Sequence, residues 1–191
     1  MAIPAIRARS AQDALVYAER FAPDMEGRVR ALVPADSMAF IDGLSTNAWL
    51  PVEHDRWLPR AIVGVYGREG AFEVWRSFIP SHVESPLLGP MFKTACRIFG
   101  VNPGTVAWLV PKGFGNVYRD VATPRLVERR DGFAEFALED IHPDVCAVPE
   151  YILCFHATFQ GLVDVTSRGA GSELEAEFSP DERRMLFRVT W

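Results

Sequence analysis

Leu126-Val127-Glu128-Arg129-Arg130-Asp131-Gly132-Phe133-Ala134-Glu135-Phe136-Ala137-Leu138 is the stretch on which the fold turns. Asp131-Gly132 is the strongest short-range hairpin signal in the chain, because a tight turn between strands needs a residue that tolerates positive φ. After the turn, Phe133, Glu135 and Ala137 alternate with Ala134, Phe136 and Leu138. That period of two predicts a strand with two faces. Arg125, Arg129 and Arg130 stand beside Glu128 and Asp131, which reads as a solvated strand edge rather than a phosphate site.

Downstream, the period becomes helical from Pro149 to Thr166, with Tyr151, Phe155, Phe159 and Leu162 on one stripe. Residues 173–178 and 183–191 then read as a second hairpin around Ser179-Pro180-Asp181. Upstream, the first two thirds read as helices punctuated by Pro and Gly. Ser10 with Asp13 resembles a capping box, followed by Ala11, Leu15, Ala18 and Ala22 at helical spacing. Asp24 opens the next segment and Pro34 stops it. A short helix over 37–42 ends at Gly43, and Pro51 suits the first position of another. Pro59 lies inside the stripes Trp57-Ala61-Val65 and Leu58-Ile62-Tyr66, so a kink or a new helix start is expected there. Residues 69–79 place Phe72, Trp75 and Phe78 or Ile79 together. Ser85-Pro86 starts a helix with Leu87, Met91, Ala95 and Ile98 on one face, Leu88, Phe92 and Phe99 beside it. Asn102-Pro103 forms an N-cap and N1 pair, and Gly113 and Gly115 are expected to loosen the helix it starts. The fold class is therefore α+β. N-terminal helices pack on a four-stranded antiparallel sheet built from a β-β-α-β-β C-terminal half. We expect a single domain over 1–191, mainly helical over 1–119 and sheet-containing over 120–191.

With 49% hydrophobic and 24% charged residues, the composition is that of a globular protein rather than a disordered one. A net charge of −5 with scattered arginines argues against nucleic acid as a partner. No apolar run approaches the length of a membrane span, and the N-terminal residues lack the apolar core of a secretory signal. Cys96, Cys146 and Cys154 are an odd, irregularly spaced set, which fits buried thiols and a cytoplasmic location.

Chemistry-bearing motifs are sparse. His54 and Asp55 are adjacent, point apart on a helix and read as surface residues. His142 with Cys146, Cys154 with His156, and Cys96 with His82 match no metal or nucleophile spacing. Gly113-Phe114-Gly115 follows a helix and lacks a third glycine, so it is no phosphate loop. Glu139-Asp140 and Asp181-Glu182 read as solvated turn acids. No catalytic set, metal or cofactor is expected.

The distinctive feature is aromatic content: five Trp and 13 Phe, with Trp49, Trp57, Trp75 and Trp108 all in the helical part. Three readings fit. The rings fill the core, line an apolar pocket with Tyr118, His156 or Gln160 as polar groups, or form an exposed interface.

Several motifs fall in a familiar order: Trp49-Leu50-Pro51-Val52-Glu53, Phe99-Gly100, Pro103, Val117-Tyr118-Arg119-Asp120, Gly161, and Phe187-Arg188-Val189 with Trp191. In this order they resemble a paralogous family of uncharacterised myxobacterial proteins. That family looks related to the four-vinyl-reductase domain and, more distantly, to the heme-nitric-oxide-binding and TRAPP-like fold. The resemblance implies a domain that binds small hydrophobic molecules or scaffolds other proteins. It implies no zinc, because Gly171, Ser172 and Glu173 match the stretch where metal-binding relatives carry cysteines, and Met185 stands where a Cys would precede the Phe-x-Val strand. It implies no heme, because the Tyr-x-Ser-x-Arg motif of the heme relatives is missing.

The expectation is a non-enzymatic cytoplasmic sensor or signalling domain binding a small hydrophobic ligand. Its pocket candidates are Trp57, Trp75, Trp108, Phe114, Tyr118, Phe155, His156 and Phe159. The alternatives are a protein-interaction scaffold or homodimerising adaptor without a small ligand, and an enzyme of unknown class.

Overall fold

Helices dominate the first part of the chain, with short strands among them, and the longer strands come later. In order they are β1 (Ala5–Arg7), α1 (Ala8–Phe21), α2 (Arg28–Leu32), α3 (Ala35–Gly43), β2 (Trp49–Pro51), α4 (Val52–Asp55), α5 (Trp57–Val83) and α6 (Gly89–Phe99). Then come α7 (Pro103–Val117), β3 (Tyr118–Arg119), β4 (Thr123–Arg130), β5 (Phe133–Glu139), α8 (Pro143–Cys146), α9 (Pro149–Thr166), β6 (Glu173–Ser179) and β7 (Arg184–Thr190). This computed structural model describes residues 3–22, 25, 27–83, 89–167 and 172–191. The helix starts expected at Asp24 and at Ser85-Pro86 lie outside the described residues, as do Leu87, Leu88 and Gly171.

The two hairpins form one four-stranded antiparallel sheet in the order β4-β5-β7-β6. Gly132 takes φ +71° at the first turn, the conformation its missing Cβ permits. Register sets the two faces. Ala134, Phe136 and Leu138 oppose Val189, Phe187 and Met185, all buried. On the other face Glu135 opposes Arg188, which also pairs with Glu177. Helices α7 and α9 cover the apolar face. The outer edge, β4, carries Pro124, an irregularity between Leu126 and Glu128, and its arginines, all features that discourage another strand from adding.

Two hydrophobic clusters result. One joins the sheet to α7 and one face of α9, through Phe114, Phe136, Phe155, Phe159 and Phe187. The second joins α1, α2, α3 and α5 to the other face of α9, where Leu153 and Ala157 lie. Where α5 crosses α9, a Cβ on Gly161 would overlap the Arg76 carbonyl. Arg76 then binds Asp164 across the same crossing, at 2.5 Å.

The structure corrects several sequence readings. A second, three-stranded sheet, β2-β1-β3, sits in the part read as mainly helical, where no strand was expected. Its strands span two or three residues, too few for a periodic signal. Trp49 belongs to it, with the guanidinium of Arg7 lying 3.8 Å from its ring centre. α1 starts at Ala8, before Ser10, and has no side-chain cap. Asp13 pairs instead with Arg9 at 3.6 Å. α7 runs through Gly113 and Gly115 to Val117, with Met91 of α6 seated against Gly113. Ile98 is 63% exposed, so the apolar stripe expected along α6 ends before it. A new helix does begin beside Pro59, and α5 is broken at Gly67, whose φ is +69°.

Candidate functional site

The two clusters do not close completely on each other. Between them lies a cavity of about 140 Å³. Ile6, Ala11, Leu58 and Trp75 line it from the helical cluster, and Val110, Phe114 and Phe159 from the sheet cluster. Met91 and Phe92 of α6 complete the apolar wall. A cavity of this order, lined by apolar side chains, holds a benzene-sized molecule.

A small polar group interrupts the wall: Ser10, Asp55, Tyr118, Tyr151, Cys154 and Thr158. β1 runs directly into α1, which places Ser10 in the first helical turn with its side chain inward. Asp55 ends the single turn α4, three residues after buried Val52 and three before buried Leu58. Its Oδ2 accepts a 2.5 Å hydrogen bond from the Tyr151 hydroxyl. Burial pushes its carboxyl up to about 6, against the opposing effect of that hydrogen bond. At pH 7 it is still mostly ionised. Burial likewise raises Tyr118 and Tyr151 well above the usual phenol range, and the Asp55 charge adds to both. Burial pushes the Cys154 thiol up to about 12, with a weak 3.9 Å contact to Thr158 opposing it. It is therefore a poor nucleophile at neutral pH. Ser10 Oγ is buried with no hydrogen-bond partner.

Of the eight pocket candidates, the structure brings Trp75, Phe114, Tyr118 and Phe159 to the cavity. Phe155 is a layer behind, 5.5 Å from the Tyr118 ring and 6.4 Å from that of Phe114. Trp57 is not on the wall: its partly buried side chain has the Arg56 and Arg60 guanidinium groups 5.3 and 5.2 Å from its ring centre. Trp108 is turned away as well, under Lys112 at 4.6 Å. His156 is directed elsewhere, meeting the Leu174 carbonyl at 3.1 Å and the edge of Phe72. Gln160 donates to Asp164 and accepts from the Leu174 amide. Helical spacing placed Trp57 and Trp108 on helices without saying what their rings would meet, and both lie against cationic side chains. For His156 the reason is that α9 has two buried faces, and its ring meets the Leu174 carbonyl instead of the cavity.

Asp55 and Ser10 were missed by the sequence reading, which made the first a surface residue and the second a cap. The signal for Asp55 was its spacing of three from both Val52 and Leu58, which puts a carboxyl on an apolar stripe. Nothing local marked Ser10. Among the described residues no three His, Cys, Asp or Glu converge as a metal set, and the cavity wall holds no histidine, arginine or lysine.

No protein-family model matches the sequence, and no curated protein does so either. Two solved structures share its fold. The Fe(II) unliganded H-NOX protein from K. algicida aligns over 96% of this chain and 94% of its own, at 10% identity and a TM-score of 0.60. Its A71G mutant aligns over 97% and 95%, at 9% identity and a TM-score of 0.57.

Proposed function

We propose that this chain is a sensor domain that binds a small hydrophobic molecule in the cavity between its two clusters. The observation that carries the proposal is the cavity itself, with an apolar wall and one polar corner. The fold it shares with H-NOX proteins supports the same reading, although fold alone does not transmit a ligand. The proposal includes a cytoplasmic, non-enzymatic role and kinship with the myxobacterial family that the sequence resembles. No described helix is long and apolar enough to cross a membrane. Among the described lining residues, the Cys154 thiol, raised by burial, has no histidine beside it, which favours the non-enzymatic reading.

An iron porphyrin does not fit this wall. Among the described lining residues there is no histidine to ligate iron and no cation to pair with its carboxylates. A macrocycle is also several times larger than the benzene-sized molecule the space accommodates. The ligand we propose is accordingly smaller.

The test is a thermal-shift screen with small apolar molecules, followed by methyl NMR of Met91, whose side chain faces the cavity. A ligand that raises Tm and moves the Met91 methyl signal supports the reading. If none of the compounds from benzene to indole does both, the reading fails.

The second reading, an interaction scaffold or homodimer, draws on exposed Leu126 and Val127 along edge strand β4. Sedimentation of the full chain checks it, and a strict monomer would remove its motivation.

A further inference from the structure

The ligand's chemistry can be read from the polar corner, an inference that rests on the cavity being a ligand site. Asp55 is 3% exposed, and no arginine, lysine or histidine lines the cavity beside it among the described residues. The titratable groups that face it, Tyr118, Tyr151 and Cys154, are neutral at neutral pH. Among the described residues the carboxylate therefore has a hydrogen bond from Tyr151 and no counter-charge. Burying a charge in this way is costly, and a protein that needed only stability would be better served by an apolar side chain. Ser10, also on the wall and 7% exposed, has a buried hydroxyl with no hydrogen-bond partner. The rest of the wall is rich in π faces, from Trp75, Phe78, Phe92, Phe114 and Phe159, and π faces attract cations.

We propose that the cavity takes a small organic amine: an ammonium group on an apolar body no larger than one or two rings. The ammonium donates to the Asp55 carboxylate and to Ser10 Oγ, and the body packs against the aromatic wall. Each part answers an observed lack. The cation supplies the missing counter-charge, its N–H groups satisfy the hydroxyl, and the body fills the void. A hydrocarbon would supply only the last. A carboxylic acid would place two negative charges in one dry site.

The experiment compares benzylamine with benzyl alcohol, nearly equal in shape, binding to the full chain by calorimetry at near-neutral pH. Benzylamine is expected to bind at least about tenfold more tightly, the margin of a charge-assisted over a neutral hydrogen bond. Asp55→Asn is expected to bring the two within about threefold of each other, chiefly by weakening benzylamine binding. If the alcohol binds as well as the amine, the amine assignment falls and the cavity reading stands. If neither binds, both fall. If Asp55→Asn folds and keeps the full preference, Asp55 is not the anchor and the proposal is overturned. The comparison of the two probes on the unmodified chain needs no variant, so misfolding of Asp55→Asn cannot shelter it.

Discussion

The sheet side of the molecule and the seam between its two clusters use the same residue types to opposite ends. In the sheet cluster Phe136 and Phe187 stack with centroids 4.8 Å apart, and Phe159 meets both edge-on at 5.2 and 4.8 Å. The two stacked rings are wholly buried. At the seam, Trp75, Phe92 and Phe114 line a space instead of filling one another's. The difference follows from how each set is positioned. Cross-strand register places Phe136 directly opposite Phe187, so contact is dictated by backbone spacing. The seam residues come from α5, α6 and α7, and nothing in helical geometry obliges side chains from separate helices to touch.

The comparison is most exposed at Phe187. Truncation to Ala removes the ring that both Phe136 and Phe159 rest on. We expect a loss of about 3–5 kcal/mol in urea unfolding, the cost of a large cavity in a packed core. A loss below about 1 kcal/mol would mean that the sheet side is no better packed than the seam.

The next effect belongs to the seam and depends on pH. The Asp55 carboxyl rises on folding from 3.8 to about 6, so the folded state holds its proton more tightly than the unfolded state. This group therefore favours folding in acid, and the contribution is lost as pH climbs through that window. The shift corresponds to about 3 kcal/mol at most. The facing groups, Tyr118, Tyr151 and Cys154, are all raised and stay neutral throughout. The unfolding free energy of the unmodified protein minus that of Asp55→Asn should fall between pH 4 and pH 6 and be level above it. A difference that stays level across the whole range would show that Asp55 is not desolvated.

The same division governs what the sequence disclosed. Alternation over 133–138, the Asp131-Gly132 turn and the stripe on α9 announced the four-stranded sheet and its covering helix, because burial on one face writes a period into the chain. The β2-β1-β3 sheet left no such mark: its strands are two or three residues long and are fixed by partners more than forty residues apart. For the cavity, Trp75, Phe114, Tyr118 and Phe159 were legible as large apolar residues on helices, but so were Trp57 and Trp108, and only packing separates the two groups. Asp55 was obscured by its neighbours, since Glu53-His54-Asp55 looks like a solvated run. The turn of α4 exposes Glu53 and buries Asp55.

Two glycines sharpen the comparison at its finest scale. Both lie within helices, so Ala at either position should raise helix stability by about 1 kcal/mol if space allowed. At Gly161, on the tight α5–α9 crossing, a Cβ meets the Arg76 carbonyl oxygen and lies 2.9 Å from Ile79 Cβ. Backbone cannot step aside without parting the helices, so Gly161→Ala should cost about 2 kcal/mol net. At Gly113 the obstacle is Met91 Cε at 2.5 Å, the tip of a flexible side chain beside the cavity. That methyl can swing into the open space, so Gly113→Ala should unfold within about 1 kcal/mol of the unmodified protein, on the stabilising side. The displaced methyl then occupies part of the ligand's volume, and benzyl alcohol binding should weaken even as stability holds. Equal costs at the two positions in urea unfolding would mean that the seam is as closed as the crossing, and that the 140 Å³ between the clusters is not available to a ligand.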